Sequence, residues 1–408
     1  MVPAMDPAAD LSPPEPAVED PSIPFHPAPV VALSAGHASH DTYTNMLPVL
    51  LPLFVQRFAL TNTAAGSLAA FVQFPSILQP FFGYLADHRG LRWMVVLGPA
   101  SAATLMCLVG WAPAYAVLAL LLITAGISSA AFHAVASAAA GRASHGHLGK
   151  GLSIWMVGGE VGSTLGPLVA AAALSLTTLK GLVWLMPLGW TASFVLNLAL
   201  RRLPQHAVGS TAPVHWRPAL RSMRRLMVLV TGLVALRAMA LAAPRVFGPL
   251  FLEQQGASRF LAGASVTVFL AAGVVGTITS GWVSDRLGRR VVLFAGVAIG
   301  PTALLLFTLT GGWVRFPLLF LAGAATESMH PACMALVQET FPESRGLANA
   351  LYLSTVFVLS SVAAIAVGAI VVAAGLRWAF VISALVVFLS LPLIAFLPQR
   401  AGRGRKPR

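Results

Sequence analysis

An apolar stretch near the amino terminus, residues 30–58, carries polar side chains in its middle. It is long enough to cross a bilayer as a helix, since about 20 residues at roughly 1.5 Å per residue span the hydrocarbon core. Ionisable side chains at that depth cost at least about 2.5 kcal/mol each, so they normally face a protein-lined path for ions or substrate. The polar residues are His37, His40, Asp41, Thr44 and Asn45. Together they predict a proton-binding or substrate-binding site within the membrane.

These residue types allow acid–base chemistry. Asp41 follows His37 by four residues, which places both side chains on one helical face. A carboxylate can take and release a proton, and His37 or His40 beside it can relay that proton. The alternative interpretation is a static ion pair that fixes helix packing.

Glu160 and Arg237 are the other ionisable residues expected near the membrane midplane. Counted from the predicted cytoplasmic ends of their helices, Asp41 lies roughly 16 Å deep, Glu160 roughly 18 Å and Arg237 roughly 20 Å. We therefore expect one shared cavity, in which Asp41 and Glu160 bind protons and Arg237 pairs with a carboxylate or an anionic substrate. A substrate at Arg237 would take that charge away from Asp41 and favour its protonation, which is coupling by competition. The predicted substrate-binding residues are Arg237, Asn45, Tyr43 and Glu327.

The composition places these residues in a polytopic membrane protein. The 408 residues are 57% hydrophobic and 10% charged, with a mean hydropathy of +0.81, and soluble domains do not have such values. Apolar runs bounded by charge or by Gly and Pro predict twelve transmembrane spans. They cover residues 30–57, 62–86, 92–111, 113–140, 148–174, 180–200, 223–251, 260–285, 290–311, 313–338, 346–374 and 377–397.

Topology explains the net charge of +13. With both termini cytoplasmic, 19 of the 26 Lys and Arg residues lie in cytoplasmic segments, which is the positive-inside bias that orients proteins in a lipid bilayer. We therefore expect no nucleic-acid partner. Residues 1–29 hold nine prolines, five acids and no Lys or Arg, so we expect a disordered cytoplasmic tail rather than a signal peptide. Residues 398–408 form a basic cytoplasmic tail.

The two halves of the chain repeat each other weakly. His133 and His330 are 197 residues apart, and the loop GYLADHRGLR from Gly83 matches GWVSDRLGRR from Gly281. Near-constant offsets indicate a duplicated six-span unit, with bundles at residues 30–200 and 223–397 and a cytoplasmic linker at 201–222. His133 and His330 lie in the cytoplasmic third of their helices, where we expect packing residues. Arg245, near the outer end of its span, is expected to snorkel.

The paired loops and the two six-span halves resemble the major facilitator superfamily over roughly residues 30–397. The resemblance implies an all-α membrane protein with twelve transmembrane helices in two pseudo-symmetric six-helix bundles. It also implies that the Gly-x-x-x-Asp-x-x-Gly-x-Arg loops gate the cytoplasmic side, although topological anchoring alone is the alternative. In the first loop, His88 replaces an arginine of the pattern. The predicted gating residues are Asp87, Arg92, Asp285, Arg286 and Arg289.

Within the superfamily, the first half is most similar to the fosmidomycin-resistance transporters. The similarity rests on His37 with Asp41, LQPFFGYLAD from Leu78, the pair Phe132 and His133, and GGEVGSTLGP from Gly158. The last segment has small residues every four positions, which the resemblance associates with exporters. Plain helix packing is the alternative, since such spacing lets membrane helices approach closely.

The sequence contains no enzyme signature. Phosphate-loop, His-Glu-x-x-His and Gly-x-Ser-x-Gly patterns are absent, so an ion gradient must power transport. We predict a monomeric, proton-coupled secondary transporter, with no cofactor or bound metal, that exports drugs or organic anions across the cell membrane. The alternative is a proton-coupled importer of a small organic anion. A membrane sensor or scaffold would be the non-transport class.

Overall fold

The computed structural model describes residues 25–60, 62–89, 91–144, 147–201 and 216–398, and within these ranges the chain forms helices and no strands. The α-helices are α1 (Pro27–Thr44), α2 (Leu47–Phe58), α3 (Asn62–Gln73), α4 (Gln79–Arg89), α5 (Arg92–Leu108), α6 (Tyr115–Arg142), α7 (Leu148–Leu176), α8 (Met186–Arg201), α9 (Trp216–Gln254), α10 (Arg259–Leu287), α11 (Arg289–Leu309), α12 (Arg315–Thr340), α13 (Arg345–Ala374), α14 (Leu376–Leu385) and α15 (Ser390–Phe396). Short 3₁₀ segments extend or join several of them, at Phe74–Leu78, Val109–Trp111, Leu179–Leu185, Gly312–Val314, Pro342–Ser344 and Val386–Leu389.

Nine helical segments of the described chain are long and apolar enough to cross a membrane. The other three predicted spans are interrupted or polar. The first consists of α1 and α2, and the second consists of α3, the 3₁₀ segment Phe74–Leu78 and α4. The tenth span is α12, which carries Arg315, Glu327 and Glu339. These three spans therefore lack a simple hydrophobic signature because they are broken or carry polar residues.

The first span is broken beside Asp41. Pro48 lies at the start of α2, where its missing N–H group is tolerated because the first turn of a helix has no intrahelical acceptor for it. Asn45 caps the C-terminal end of α1. Its backbone N–H and its side-chain Nδ2 both donate to the Asp41 carbonyl oxygen, at 3.1 and 2.9 Å. Polar backbone is thus available at the depth of the predicted site.

A row of glycines brings α7 against α1. A Cβ on Gly158, Gly162 or Gly166 would lie within 2.6 Å of a carbonyl oxygen of α1. These oxygens belong to Ser34, Ala38 and Thr42. Both rows have a spacing of four residues, so the helices can touch backbone to backbone over three turns. This close packing fixes α1, and with it His37 and Asp41, relative to the rest of the first half.

The two halves meet through equivalent helix pairs. In one contact α4 and α6 pack against α13, and in the other α7 packs against α10 and α12. Gly83 lies against the backbone of Gly346, and Gly281 lies against the backbone of Gly149. The repeat seen in the sequence therefore appears as two matching close approaches between the halves.

Both described ends of the chain lie at the same end of the helix bundle, which we call the inner end. Helix α8 ends at Arg201 and α9 begins at Trp216, so residues 216–222 of the predicted linker are helical. Residues 202–215, together with the predicted tail residues 1–24 and 399–408, lie outside the described residues.

Candidate functional site

Three histidines surround the Asp41 carboxylate. His40 Nδ1 is 2.8 Å from Oδ1, His133 Nε2 is 3.4 Å from the same oxygen, and His37 Nε2 is 3.3 Å from Oδ2. All four side chains are buried, with Asp41 8% exposed. We call these four residues the histidine–aspartate cluster.

Backbone carbonyls orient two of the imidazoles. His37 Nδ1 is 2.9 Å from the carbonyl oxygen of Trp155, and His133 Nδ1 is 2.9 Å from the carbonyl oxygen of Ser129. Because a carbonyl oxygen only accepts, each Nδ1 must carry the proton and donate. The Nε2 atom of each ring therefore points its lone pair toward Asp41 whenever the ring is neutral. The His37 ring also stacks on Trp155, with centroids 4.1 Å apart.

The cluster opens into a cavity of about 140 Å³. Asp41 and His133 form part of its wall, and the rest comes from α1, α3, α4, α6 and α7, the 3₁₀ segment Phe74–Leu78, and Phe357 of α13. The other polar lining residues are Thr44, Asn45, Gln73, Ser76, Gln79, Ser129 and Ser163. The cavity thus offers hydrogen-bond donors and acceptors beside an ionisable cluster.

Two predicted binding residues of the first span point in different directions. Asn45 lines the cavity, where its Nδ2 lies 3.3 Å from Ser163 Oγ. Tyr43 does not line it. The Tyr43 hydroxyl donates to the Leu185 carbonyl oxygen at 2.7 Å, and the side chain is 4% exposed. Tyr43 therefore ties α1 to the sixth span.

A second charged cluster lies in the other half of the molecule. Glu327 of α12 forms ion pairs with Arg237 and Arg245, both of α9. Arg237 also donates from Nε to the Thr326 carbonyl oxygen at 2.8 Å. Arg237 and Glu327 are 3% and 4% exposed, whereas the Arg245 side chain is 37% exposed. We call Arg237, Arg245 and Glu327 the arginine–glutamate cluster. Arg245, expected to snorkel, turns inward to Glu327.

Glu160 lies on α7, which packs against α1, the helix of Asp41, and against α12, the helix of Glu327. The Glu160 carboxylate forms no hydrogen bond or ion pair with the described part of the chain, and the side chain is half-buried. The expected single cavity shared by Asp41, Glu160 and Arg237 is not seen as such, because neither Glu160 nor Arg237 lines the cavity beside Asp41.

Two equivalent contacts between a carboxylate and a helix N-terminus join the halves at the inner end. Asp87 accepts the backbone N–H groups of Gly346 and Leu347 at 2.9 and 2.8 Å. Asp285 accepts those of Gly149 and Lys150 at 3.0 and 2.9 Å. The first turn of a helix has free N–H groups and a partial positive charge, so each carboxylate is well placed to hold the facing helix.

Comparison with known proteins agrees with this helical fold. The sequence model described as Major Facilitator Superfamily matches this chain over residues 33–264 and again over residues 230–408. The chain belongs to the Major Facilitator Superfamily. It is a membrane transporter rather than an enzyme, and the twelve-helix fold predicted from the sequence is confirmed.

The relatives of this facilitator include resistance proteins. The fosmidomycin resistance protein of Escherichia coli (strain K12) is 26% identical over 376 residues, which cover 90% of this chain and 92% of the relative. The class G tetracycline resistance protein of Vibrio anguillarum is 26% identical over 387 residues, covering 86% and 92%. A crystal structure of the transporter FucP in the outward conformation has a TM-score of 0.71 and 16% identity, covering 91% of this chain and 99% of that one. The resemblance inferred from sequence motifs is confirmed.

The other basic residues predicted to gate this facilitator have distinct positions. Arg289 lies between Asp285 and Glu339, at 2.7 Å from an oxygen of each. Arg286 is exposed and lies over the Trp282 ring, 5.5 Å from its centroid. Arg92 donates to the Asn197 carbonyl oxygen at 2.8 Å, which joins the third span to the sixth within one half. Asp87 and Asp285 each accept two hydrogen bonds from the other half, so the His88 departure in the first loop leaves the contact of Asp87 intact.

Sequence reasoning did not assign His133 to the site. Its position in the cytoplasmic third of its span suggested a packing residue. The chemical signal was the adjacent pair Phe132 and His133, which matched the family pattern. In the structure, Phe132 stacks on His40 with centroids 4.3 Å apart, and His133 reaches Asp41. Phe132 therefore packs against the cluster, and His133 is a member of it.

Proposed function

We propose that this transporter exports a small molecule in exchange for protons, with Asp41 as the proton-binding carboxylate. One observation carries the proposal: the Asp41 carboxylate faces the cavity and is at the same time surrounded by three imidazoles. A coupling group must be accessible to the solute and must have partners that accommodate both of its charge states. Asp41 meets both requirements, and His37, His40 and His133 can share the proton.

Exchange requires that the proton and the solute exclude each other. A solute in the cavity would displace water from Asp41 and compete for the hydrogen-bonding groups of Asn45 and Ser163. A proton on the Asp41 carboxylate removes the hydrogen-bond acceptor that a polar or amphipathic solute would contact. The protonated and solute-bound forms then alternate as the cavity opens to one side and the other.

The arginine–glutamate cluster supports an anionic or amphipathic substrate. Two guanidinium groups meet one carboxylate, so the cluster carries a net positive charge. Arg245 is partly exposed and can turn toward a substrate anion without leaving Glu327 unpaired, because Arg237 remains in place. Glu160 is the second proton-binding carboxylate in this proposal, since its half-buried side chain lies on α7, the helix that packs against both α1 and α12.

The names of the relatives support efflux. Two of them are a fosmidomycin resistance protein and a tetracycline resistance protein, and export is a direct route to resistance. We place the protein in the cell inner membrane as a monomer, with both termini in the cytoplasm, because the basic residues concentrate at the inner end.

Reconstitution tests the proposal. Vesicles containing the purified protein and an internal pH dye are challenged with a panel of organic anions and amphipathic drugs. We expect one class of compound to drive proton movement opposite to its own, and Asp41→Asn to abolish that movement. Glu343→Gln, at an exposed position in the 3₁₀ segment Pro342–Ser344, is the control and should behave as the parent. If Asp41→Asn retains proton exchange with an unchanged pH dependence, the role of Asp41 is wrong.

The positive charge of the arginine–glutamate cluster also favours a second candidate, import of a small organic anion together with protons. The same vesicles separate the two functions. Export by exchange moves protons against the direction of the solute, whereas import by symport moves both in one direction.

A further inference from the structure

Three lone pairs converge within the histidine–aspartate cluster. His37 Nε2 and His133 Nε2 are 3.2 Å apart, and both face the Asp41 carboxylate. Because both Nδ1 atoms donate to backbone carbonyls, neither neutral ring has a proton to place between the two Nε2 atoms. Two imidazole lone pairs and a carboxylate facing one another repel unless a proton or a metal cation lies among them.

The ligand atoms of three residues lie close enough together to share one metal ion. The two Nε2 atoms are 3.2 Å apart, His37 Nε2 is 3.3 Å from Asp41 Oδ2, and His133 Nε2 is 3.4 Å from Asp41 Oδ1. One ligand atom from each of the three residues lies within 4.8 Å of the other two. A tetrahedral ion with bonds of about 2.0–2.1 Å to nitrogen and oxygen holds its ligand atoms about 3.3–3.4 Å apart. His37, Asp41 and His133 therefore offer two nitrogens and one carboxylate oxygen at separations that a tetrahedral zinc-type ion can bridge.

The outer partners also resemble those of metal sites. Histidine ligands usually donate their second nitrogen to a carbonyl or carboxylate, which fixes the ring and raises its basicity. His37 donates to Trp155 in this way, and His133 donates to Ser129. His40 Nδ1 donates to Asp41 Oδ1 at 2.8 Å and so orients the carboxylate.

The charge of the cluster favours a cation. The ion-pair partners of Asp41 in the described chain are the three histidines alone, and no Arg or Lys reaches it. With neutral imidazoles the cluster therefore has a net negative charge. The fourth position of a tetrahedral ion would open to the cavity, since Asp41 and His133 both line it.

We propose that His37, Asp41 and His133 bind one divalent transition-metal ion of the zinc type, with His40 as a positioning residue. The sequence predicts no metal site and assigns His133 to packing. Two imidazoles and one carboxylate select such ions over Mg²⁺ and Ca²⁺, which prefer oxygen ligands. The inference does not rest on proton-coupled export, since a bound ion can be measured without substrate or gradient.

The test uses the full-length protein, purified in detergent and stripped of metal with a chelator. Zn²⁺ is titrated calorimetrically, with Mg²⁺ as the reference cation. We expect one Zn²⁺ per chain and no Mg²⁺ binding. His133→Gln and Asp41→Asn should each weaken Zn²⁺ binding by at least about 100-fold, and His40→Ala by about 10-fold, as is usual for an outer partner. His330→Gln is the matched control, because it removes the repeat-related, half-buried histidine, and should retain the parent affinity.

X-ray absorption of the zinc-loaded parent protein keeps the test independent of how the variants fold. It should show two imidazole nitrogens at about 2.0–2.1 Å. The proposal is overturned if the parent binds no Zn²⁺, if His133→Gln binds as tightly as the parent, or if the absorption spectrum shows no imidazole ligand. If Zn²⁺ fails to bind while Asp41→Asn still abolishes proton exchange, only this inference is lost and the proposed function stands.

Discussion

The Asp87 carboxylate accepts the backbone N–H of Gly346 at 2.9 Å and so holds the first turn of α13 across the boundary between the halves. Asp285 makes the equivalent contact to Gly149 at the start of α7. Each carboxylate accepts two backbone N–H groups, and charged hydrogen bonds contribute about 1.5–3 kcal/mol each. The two contacts join the halves at the inner end, and we expect them to hold it closed.

The first prediction concerns this closure. Asp87→Ala and Asp285→Ala should each favour opening of the inner end, by about tenfold or more in the equilibrium between closed and open forms, because two charged hydrogen bonds are lost. Spin labels on Trp93→Cys and Val291→Cys, exposed positions in opposite halves near the inner end, report the opening as a longer distance. Arg286→Gln, whose described contact is with Trp282, is the control. A distance distribution that does not change in either Asp variant would show that the contacts do not set the equilibrium.

The second prediction concerns the glycine row of α7. A Cβ on Gly162 would lie 2.4 Å from the Ala38 carbonyl oxygen and 2.8 Å from Asp41 Cβ. Gly162→Ala should therefore push α1 away and destabilise the protein by about 1–3 kcal/mol, the usual cost of overpacking, with a loss of transport.

Thermal unfolding in detergent and solute flux together measure this effect. Gly248→Ala is the matched control, since its added Cβ would be 3.5 Å from Ser265 Oγ, an ordinary contact. Alanine is also favoured over glycine in a helix by about 1 kcal/mol, so the control should be as stable as the parent or more so. Equal melting temperatures for the two variants would contradict the close contact between α1 and α7.

The third prediction concerns the arginine–glutamate cluster. Glu327→Gln leaves Arg237, which is 3% exposed, as a buried charge without its carboxylate partner. Breaking a buried pair in this way costs about 3–5 kcal/mol, so we expect a clearly lower melting temperature. Glu343→Gln removes a carboxylate at an exposed position and serves as the control. A Glu327→Gln protein as stable as the parent would mean that water or another group already stabilises Arg237.

The twelve spans could be predicted from the sequence for two reasons. A helix that crosses a bilayer needs a long apolar segment, and in a duplicated unit the matching residues recur at a fixed offset. The sequence also placed Asp41 and Glu327 among the functional candidates, because charge is costly in lipid wherever it occurs. Which charges meet could not be read from depth alone. Asp41 and Arg237 are at similar predicted depths, yet one joins three histidines and the other joins Glu327, because rotation of each helix about its axis decides the partner. His133 was missed for the same reason.

The last prediction separates Asn45 from Tyr43, two residues predicted from the sequence to bind substrate. Asn45 lines the cavity beside Ser163, whereas the Tyr43 hydroxyl donates to Leu185 on the other side of α1. Tyr43→Phe should lower stability by about 0.5–1.5 kcal/mol, the value of one lost hydrogen bond, and leave the KM for transport unchanged. Asn45→Ala should raise KM with a smaller change in kcat, because it removes a contact available to the bound solute. Flux measured over a range of solute concentrations, beside the melting temperature of each variant, distinguishes the two residues. A raised KM in Tyr43→Phe would mean that the solute reaches the far face of α1, which is packed shut against the sixth span in this structure.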